Sequence, residues 1–133
     1  MEQTLVLIKP DGIRRRFVGE IISRYENNDL EIRKMKLVEP DESILRAHYA
    51  EHADQAFFVG LLSFMMSGGT IAMILAGDNA IDRVRIINGS TDPKKADKGT
   101  IRGDLAEDIS HNLVHGSDSS ESAEREIAIW FGN

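Results

Sequence analysis

Apolar and polar positions along the chain predict four strands separated by helices. Residues 4–9 form a short apolar run that stops at Pro10, as a buried strand would. From Val18 onward, apolar residues recur three, four and seven positions apart, which is the spacing of one helix face. The same reasoning predicts strands at 31–38, 70–75 and 112–115, and helices at 43–50, 56–66, 78–88 and from 118 to the C-terminal end.

Capping residues support the starts of two of the predicted helices. Asp78 is the predicted N-cap of one helix, and Asp118 and Glu121 have the spacing of a capping box at the start of the last. The element order favours an α+β, ferredoxin-like (split βαβ) sandwich with a four-stranded sheet. Residues 89–111 are polar, with three glycines, one proline and weak periodicity. A loop of this length in a compact domain is usually functional, so we expect a long functional loop here.

Composition narrows the class of protein. The 133 residues include 16 basic and 22 acidic ones, and the net charge of −6 disfavours broad binding to nucleic acids. No apolar run reaches the roughly 20 residues that cross a bilayer, and the first residues do not resemble a secretory signal. The chain has no cysteine, which excludes disulfides and suits a reducing compartment. We therefore expect a cytoplasmic protein with no membrane or specific nucleic-acid partner.

The strongest chemical signal is the segment Asn112–Asp118, NLVHGSD. His115 follows two apolar residues and precedes Gly-Ser-Asp, a pattern that indicates a strand edge turning sharply into a helix. A largely neutral imidazole can attack phosphorus and form a covalent intermediate. A lone histidine more often simply ends a strand, so the interpretation depends on its neighbours. The sequence has no GxxxxGK[ST] motif, so a P-loop kinase is excluded.

This segment resembles the active-site signature of nucleoside diphosphate kinases, and the resemblance runs from residues 4–12 (TLVLIKPDG) to Trp130 and Phe131. It implies an antiparallel sheet with helices on one face, and a single nucleoside diphosphate kinase domain over residues 1–133. The intermediate landmarks, in the family's order, are 18–22, His48-Tyr49, Phe57-Phe58, 89–93, 99–104 and 121–124.

The resemblance also implies the catalytic residues. His115 would be the nucleophile and become a pros-phosphohistidine. Glu126 and Ser117 would orient its ring, and Tyr49 would pack beside it. The histidines at 48, 52 and 111 lack such counterparts, and no catalytic role is expected for them.

The nucleotide would be held by side chains from several elements. Lys9 and Asn112 match the family residues that contact the ribose hydroxyls, and Lys9 also matches the one that meets the transferring phosphate. The remaining expected contacts are Arg85, Arg102 and Thr91 for the phosphates, and Phe57, Leu61 and Ile109 around the base. Phe58, next to Phe57, is expected in the core. Mg²⁺ would arrive with the nucleotide, so no metal ligands are expected in the protein. The substrates implied are nucleoside triphosphates and diphosphates.

The sequence alone leaves two alternatives to an enzyme. A non-catalytic nucleotide-binding or interaction module would be expected to have lost His115 or an arginine, and a small-molecule-sensing domain gives no reason for the His-Gly-Ser-Asp turn. The family forms dimers that pair into tetramers or hexamers, so a homo-oligomer is expected.

Four departures from the family pattern bear on stability and assembly: Ala56, Gly69 and Lys98 replace prolines, and Leu105 replaces an aromatic residue.

Overall fold

A computed structural model describes residues 1–132, which form four strands and seven α-helices. The predicted domain ends at Asn133, which lies outside the described residues. The strands are β1 (Glu2–Ile8), β2 (Glu31–Val38), β3 (Thr70–Gly77) and β4 (Val114–Gly116). The helices are α1 (Pro10–Arg14), α2 (Val18–Glu26), α3 (Glu42–His48), α4 (Phe58–Met65), α5 (Ala80–Asn88), α6 (Ile101–Leu105) and α7 (Ser120–Phe131), with single 3₁₀ turns at Ala50–His52 and Pro93–Lys95.

The strands form one antiparallel sheet in the order β2-β3-β1-β4. Because β3 pairs antiparallel with both β1 and β2, these two strands run in the same direction with β3 between them. This is the split βαβ arrangement, so the predicted α+β, ferredoxin-like fold is confirmed. No helix of residues 1–132 combines the length and apolar character needed to cross a membrane.

Helices cover both faces of the sheet, so the expectation of helices on one face is wrong. The central strand β1 sends Val6 and Ile8 into a core with α2 and α5, and Leu5 and Leu7 into a second core with α3, α4 and α7. Successive strand residues point to opposite faces, so a strand apolar at every position must be covered twice. The continuous apolar run at residues 4–8 is the sequence feature that indicates a strand covered on both faces.

The predicted element bounds are close to those observed, but both predicted caps are wrong. Helix α5 follows Asn79, which has a φ of 52°, and its Ile81 N–H donates to the carboxylate of Glu2 at 2.9 Å. Asp78 therefore does not cap it. Helix α7 is capped by Ser119, whose hydroxyl accepts from the Ser122 N–H at 3.1 Å, one residue after the predicted cap.

The segment 89–111 is more ordered than its weak periodicity suggests. It contains the 3₁₀ turn Pro93–Lys95 and the helix α6, which is too short to produce a helical repeat in the sequence. Thr100 caps α6 by accepting from the Gly103 N–H at 3.0 Å. Gly103 must be glycine, because a Cβ there would lie 2.0 Å from the Asp97 carbonyl oxygen. The segment is thus a folded unit that places Arg102 against the sheet edge.

Candidate active site

Strand β4 positions His115 opposite Leu7 of the central strand, at the edge of the sheet. The ring is partly buried, and its Nε2 lies 2.8 Å from Oε1 of Glu126 on α7. A carboxylate can only accept, so the proton of the neutral imidazole is on Nε2. The lone pair is then on Nδ1. The predicted pairing of His115 with Glu126 is therefore present, and it selects the nitrogen available to attack an electrophile.

Ser117 and Glu126 form a rigid support behind this ring. The Ser117 hydroxyl donates to Glu126 Oε1 at 2.7 Å and accepts from the Leu5 N–H at 3.3 Å. Ser117 is fully buried and Glu126 is 5% exposed. A buried carboxylate requires such partners to remain charged. The hydrogen bonds thus fix the carboxylate, and with it the orientation of His115.

His48 is the site residue that sequence reasoning missed. Its ring stands edge-on to that of His115, with centroids 4.5 Å apart, and its Nδ1 accepts from the Trp130 indole N–H at 2.9 Å. Burial, with a contribution from His115, lowers the pKa of His48 well below its usual range. His48 is therefore a neutral ring that packs against the ring of His115. In the sequence, its position immediately before Tyr49 is the feature that could have placed it at the site.

Tyr49 lines the cavity beside His115, but its ring contact in this region is with His48 and not with His115. Its ring packs against His48, with centroids 4.6 Å apart, and the residue is 9% exposed. Burial raises the pKa of its phenol, so the hydroxyl keeps its proton. Within residues 1–132 this buried hydroxyl has no hydrogen-bond partner. An unpaired buried donor is costly, and one lining a cavity is suited to meet a bound ligand.

A cavity of about 960 Å³ opens beside His115. It is within the size range of cofactor and nucleotide sites. Five cations line it, as do five carboxylates, whereas the whole chain has 16 cations and 22 carboxylates. The cations are Lys9, Arg85, Lys95, Arg102 and Arg125. The cavity thus brings cations and carboxylates together in equal number beside the candidate nucleophile, and the cations are able to meet phosphate oxygens.

Lys9 emerges directly after β1, and its ammonium donates to the Asn112 side-chain oxygen at 3.0 Å. Burial and the neighbouring Arg102 lower the pKa of Lys9 from 10.5 to about 8, while Asp11 partly opposes this. The Asn112 amide N–H donates in turn to the backbone oxygen of Thr91 at 3.0 Å. Three predicted site residues from distant parts of the chain therefore meet at one end of the cavity.

The two arginines occupy different settings. Arg102 is 9% exposed and donates to three carbonyl oxygens, those of Gly89 at 2.8 Å, Asn112 at 3.3 Å and Val114 at 2.7 Å. It holds both ends of the 89–111 segment to β4. A guanidinium has five N–H groups, so two remain for a ligand. Arg85 is exposed and also lines the cavity.

The three residues expected around the base lie apart from this cavity. Within residues 1–132, its lining includes none of Phe57, Leu61 and Ile109. Phe57 is 55% exposed and Ile109 58%, while the neighbouring Phe58 is buried at 4%, as predicted. The structure thus leaves Phe57 free to stack on a planar ligand.

One group of side chains has the composition of a metal site. Donor atoms of His48, His115 and Glu126 lie within 4.8 Å of one another. The hydrogen bond from Trp130 already occupies the lone pair of His48 Nδ1, and Glu126 is bonded to His115 Nε2. A cation held by these same atoms would compete with both hydrogen bonds. The arrangement therefore serves to orient imidazoles.

Comparison with known proteins decides the family. A family model described as nucleoside diphosphate kinase matches residues 2–133. The chain belongs to the nucleoside diphosphate kinase family. It is 53% identical to a nucleoside diphosphate kinase of Rubrobacter xylanophilus, over 99% of each chain. It is 51% identical to one of Caldanaerobacter subterraneus subsp. tengcongensis, over 98% of this chain and 94% of the relative.

Solved structures of nucleoside diphosphate kinases agree. The enzyme of Encephalitozoon cuniculi has a TM-score of 0.98 at 41% identity, covering 100% of this chain and 90% of that one. The enzyme of Halobacterium salinarum, in complex with CDP, has a TM-score of 0.96 at 45% identity, covering 99% and 88%. The sequence-based assignment to the family, and with it to nucleotide-dependent phosphotransferases, is confirmed.

Proposed function

We propose that this nucleoside diphosphate kinase transfers the γ-phosphate of a nucleoside triphosphate to a nucleoside diphosphate through His115, with residues 1–133 as its catalytic domain. The observation that carries the assignment of the nucleophile is the 2.8 Å contact between His115 Nε2 and Glu126. This contact leaves Nδ1 with its lone pair beside the cavity that Lys9, Arg85 and Arg102 line.

The transfer proceeds in two steps. The Nδ1 lone pair attacks the γ-phosphorus, the bond from that phosphorus to the bridging oxygen breaks, and the diphosphate leaves with the bond electrons. The pros-phosphohistidine is then attacked by a terminal oxygen of a second diphosphate, which regenerates the imidazole. Glu126 stays bonded to Nε2–H throughout and offsets the positive charge that develops on the ring. Such an order of steps is ping-pong.

The remaining site residues keep, in this proposal, the roles that the family resemblance implies. Lys9, Arg85 and Arg102 would bind phosphate oxygens, with Thr91 adding a hydroxyl contact. Asn112 would reach the ribose. Tyr49 would direct its unpaired hydroxyl toward the transferred group. Phe57, Leu61 and Ile109 would hold the base by apolar contact and stacking, which tolerates every base. Mg²⁺ would enter as part of the nucleotide substrate and would offset the negative charge of its phosphates.

Self-association is also proposed. β2 is an edge strand whose outer side is unpaired in the sheet of residues 1–132, and almost every residue of it is exposed. Met35 is 53% exposed and Leu37 69%. Open, apolar edges favour strand pairing between copies. We propose a homo-oligomer built from dimers, as a tetramer or hexamer, while a cytoplasmic location stays a prediction from the sequence.

The test is a phosphorylation trap with γ-labelled ATP and Mg²⁺, followed by a chase with unlabelled GDP. Wild type is expected to acquire an acid-labile label that leaves as labelled GTP. His115→Ala is expected to acquire none, and His111→Ala, which changes an exposed histidine, serves as the matched control. Label that persists in His115→Ala would contradict the assignment. No label on any variant would favour a nucleotide-binding module instead.

A further inference from the structure

Leu113 adopts a backbone conformation that a bulky residue rarely takes. Its φ is 75°, and the Val114 N–H donates to the Asn112 carbonyl across it at 2.9 Å. A hydrogen bond from residue i+2 to residue i, with a positive central φ, defines the rarer and strained form of γ-turn. Such strain is costly and persists only where the surroundings enforce it.

This γ-turn sets the geometry of the active site. Asn112, at its start, receives the Lys9 hydrogen bond, and His115 lies two residues after Leu113. Strand β4 is three residues long and pairs with β1 through three positions, so it gives the turn little support. A relaxed turn would shift Asn112 and His115 relative to each other. The distance from nucleophile to bound phosphate depends on that relation.

The segment that follows β1 holds both polar backbone groups of Leu113. The Lys9 backbone N–H donates to the Leu113 oxygen at 2.8 Å, and the Leu113 N–H donates to Oδ2 of Asp11 at 3.2 Å. The two segments are in contact here, since a Cβ on Gly12 would lie 3.5 Å from the Leu113 carbonyl oxygen. Asp11 is therefore the side chain that accepts the amide proton of the strained residue.

The burial of Asp11 indicates that this contact is not incidental. The residue is 4% exposed in the short helix α1, and its second oxygen, Oδ1, is buried without a hydrogen-bond partner among residues 1–132. An unpaired buried carboxylate oxygen lowers stability. A residue that served stability alone would be better replaced by an apolar one at this position.

We propose that Asp11 is a positioning residue that maintains the Leu113 γ-turn, and thereby the alignment of His115 with the nucleotide held by Lys9 and Asn112. This inference rests on the proposed function, since it assumes phosphorylation of His115. Asp11 itself contacts neither substrate nor the reacting atoms. Its influence passes through the Leu113 amide.

The experiment measures the single-turnover rate constant for His115 phosphorylation at saturating MgATP, on variants whose folding is checked by circular dichroism. Asp11→Ala removes the acceptor, and Asp11→Asn keeps an oxygen that can accept. Leu113→Gly and Leu113→Ala both remove the leucine side chain, but glycine alone adopts a positive φ without strain. These two changes are compared in the Asp11→Ala background.

Asp11→Ala is expected to slow phosphorylation at least tenfold, and Asp11→Asn to stay within threefold of wild type. D11A/L113G is expected to be at least threefold faster than D11A/L113A, which a purely structural role for Asp11 does not predict. The proposal is overturned if Asp11→Ala stays within threefold of wild type, if Asp11→Asn is as slow as Asp11→Ala, or if glycine gives no advantage. If Asp11→Ala does not fold, Asp11→Asn decides: a rate constant within threefold of wild type is expected, and a tenfold loss overturns the proposal. A wild type that is never phosphorylated contradicts the proposed function and not this inference.

Discussion

The Lys9 ammonium donates to the side-chain oxygen of Asn112 at 3.0 Å, joining two residues 103 positions apart in the sequence. The bond connects the end of the central strand to the turn before the nucleophile. It also places a cation whose pKa lies near 8 in the cavity beside His115. The charge of this lysine is therefore sensitive to pH in the mildly alkaline range.

Nucleotide binding should take up protons through Lys9. In the free protein the pKa of Lys9 is about 8, so the side chain is partly neutral above that pH. Bound phosphates favour the ammonium and raise the pKa. Calorimetry of MgADP binding at pH 8.5, in buffers of different ionisation enthalpy, should detect this uptake. Lys9→Arg, which remains charged, should abolish it, and equal uptake in both proteins would assign the proton to another group.

Glu126 should control the rate of His115 phosphorylation. Glu126→Ala removes the acceptor of the Nε2–H, so the ring loses its fixed orientation and its charge compensation. We expect the single-turnover rate constant to fall about 10- to 100-fold, the range seen when a group that orients a functional imidazole is lost. Glu126→Gln should fall less, because its oxygen can still accept. Glu124→Gln, an exposed neighbour on α7, is the control and should match wild type.

The neutral state of His48 should make stability depend on pH. Its pKa in the folded protein lies below the ordinary value, so the unfolded chain binds one more proton once the pH falls below about 6.5. The contribution is complete above that pH and is lost as the pH falls, with a slope approaching about 1.4 kcal/mol per pH unit. Urea denaturation between pH 7.5 and 5 should show a shallower decline for His48→Gln than for wild type. His111→Gln is the control, and identical slopes in His48→Gln and wild type would refute the prediction.

Phe57 and Phe58 provide a matched pair for base binding. Phe57→Ala should raise KM for every nucleoside triphosphate by a similar factor, because stacking contributes about 1–3 kcal/mol per base and does not select among bases. The melting temperature should hardly change, since Phe57 is exposed. Phe58→Ala should lower stability by about 3–5 kcal/mol, because it empties a core position. A KM change restricted to one base would indicate hydrogen-bond recognition instead.

The sequence predicted those features that depend on local pattern. The bounds of β2, the buried Phe58 and the pairing of His115 with Glu126 follow from periodicity, motif spacing or resemblance. The cap of α5 was missed because it comes from Glu2, 79 residues away in the chain. The contact of His48 with Trp130 spans 82 residues. The left-handed Leu113 was missed because leucine has no preference for positive φ, and only tertiary hydrogen bonds enforce it.

The open edge strand β2 should mediate the assembly of the protein. Met35 and Leu37 expose apolar surface on β2 beside unpaired backbone groups, and a copy of the same strand could satisfy both by antiparallel pairing. Leu37→Lys places a charge at this edge and should lower the sedimentation coefficient toward that of the monomer. Lys34→Ala, also exposed on β2, should leave assembly intact. If wild type sediments as a monomer, or if Leu37→Lys assembles like wild type, β2 is not the interface. Because the residues that line the cavity all belong to one chain, a dissociated variant should retain phosphorylation of His115, which separates assembly from catalysis.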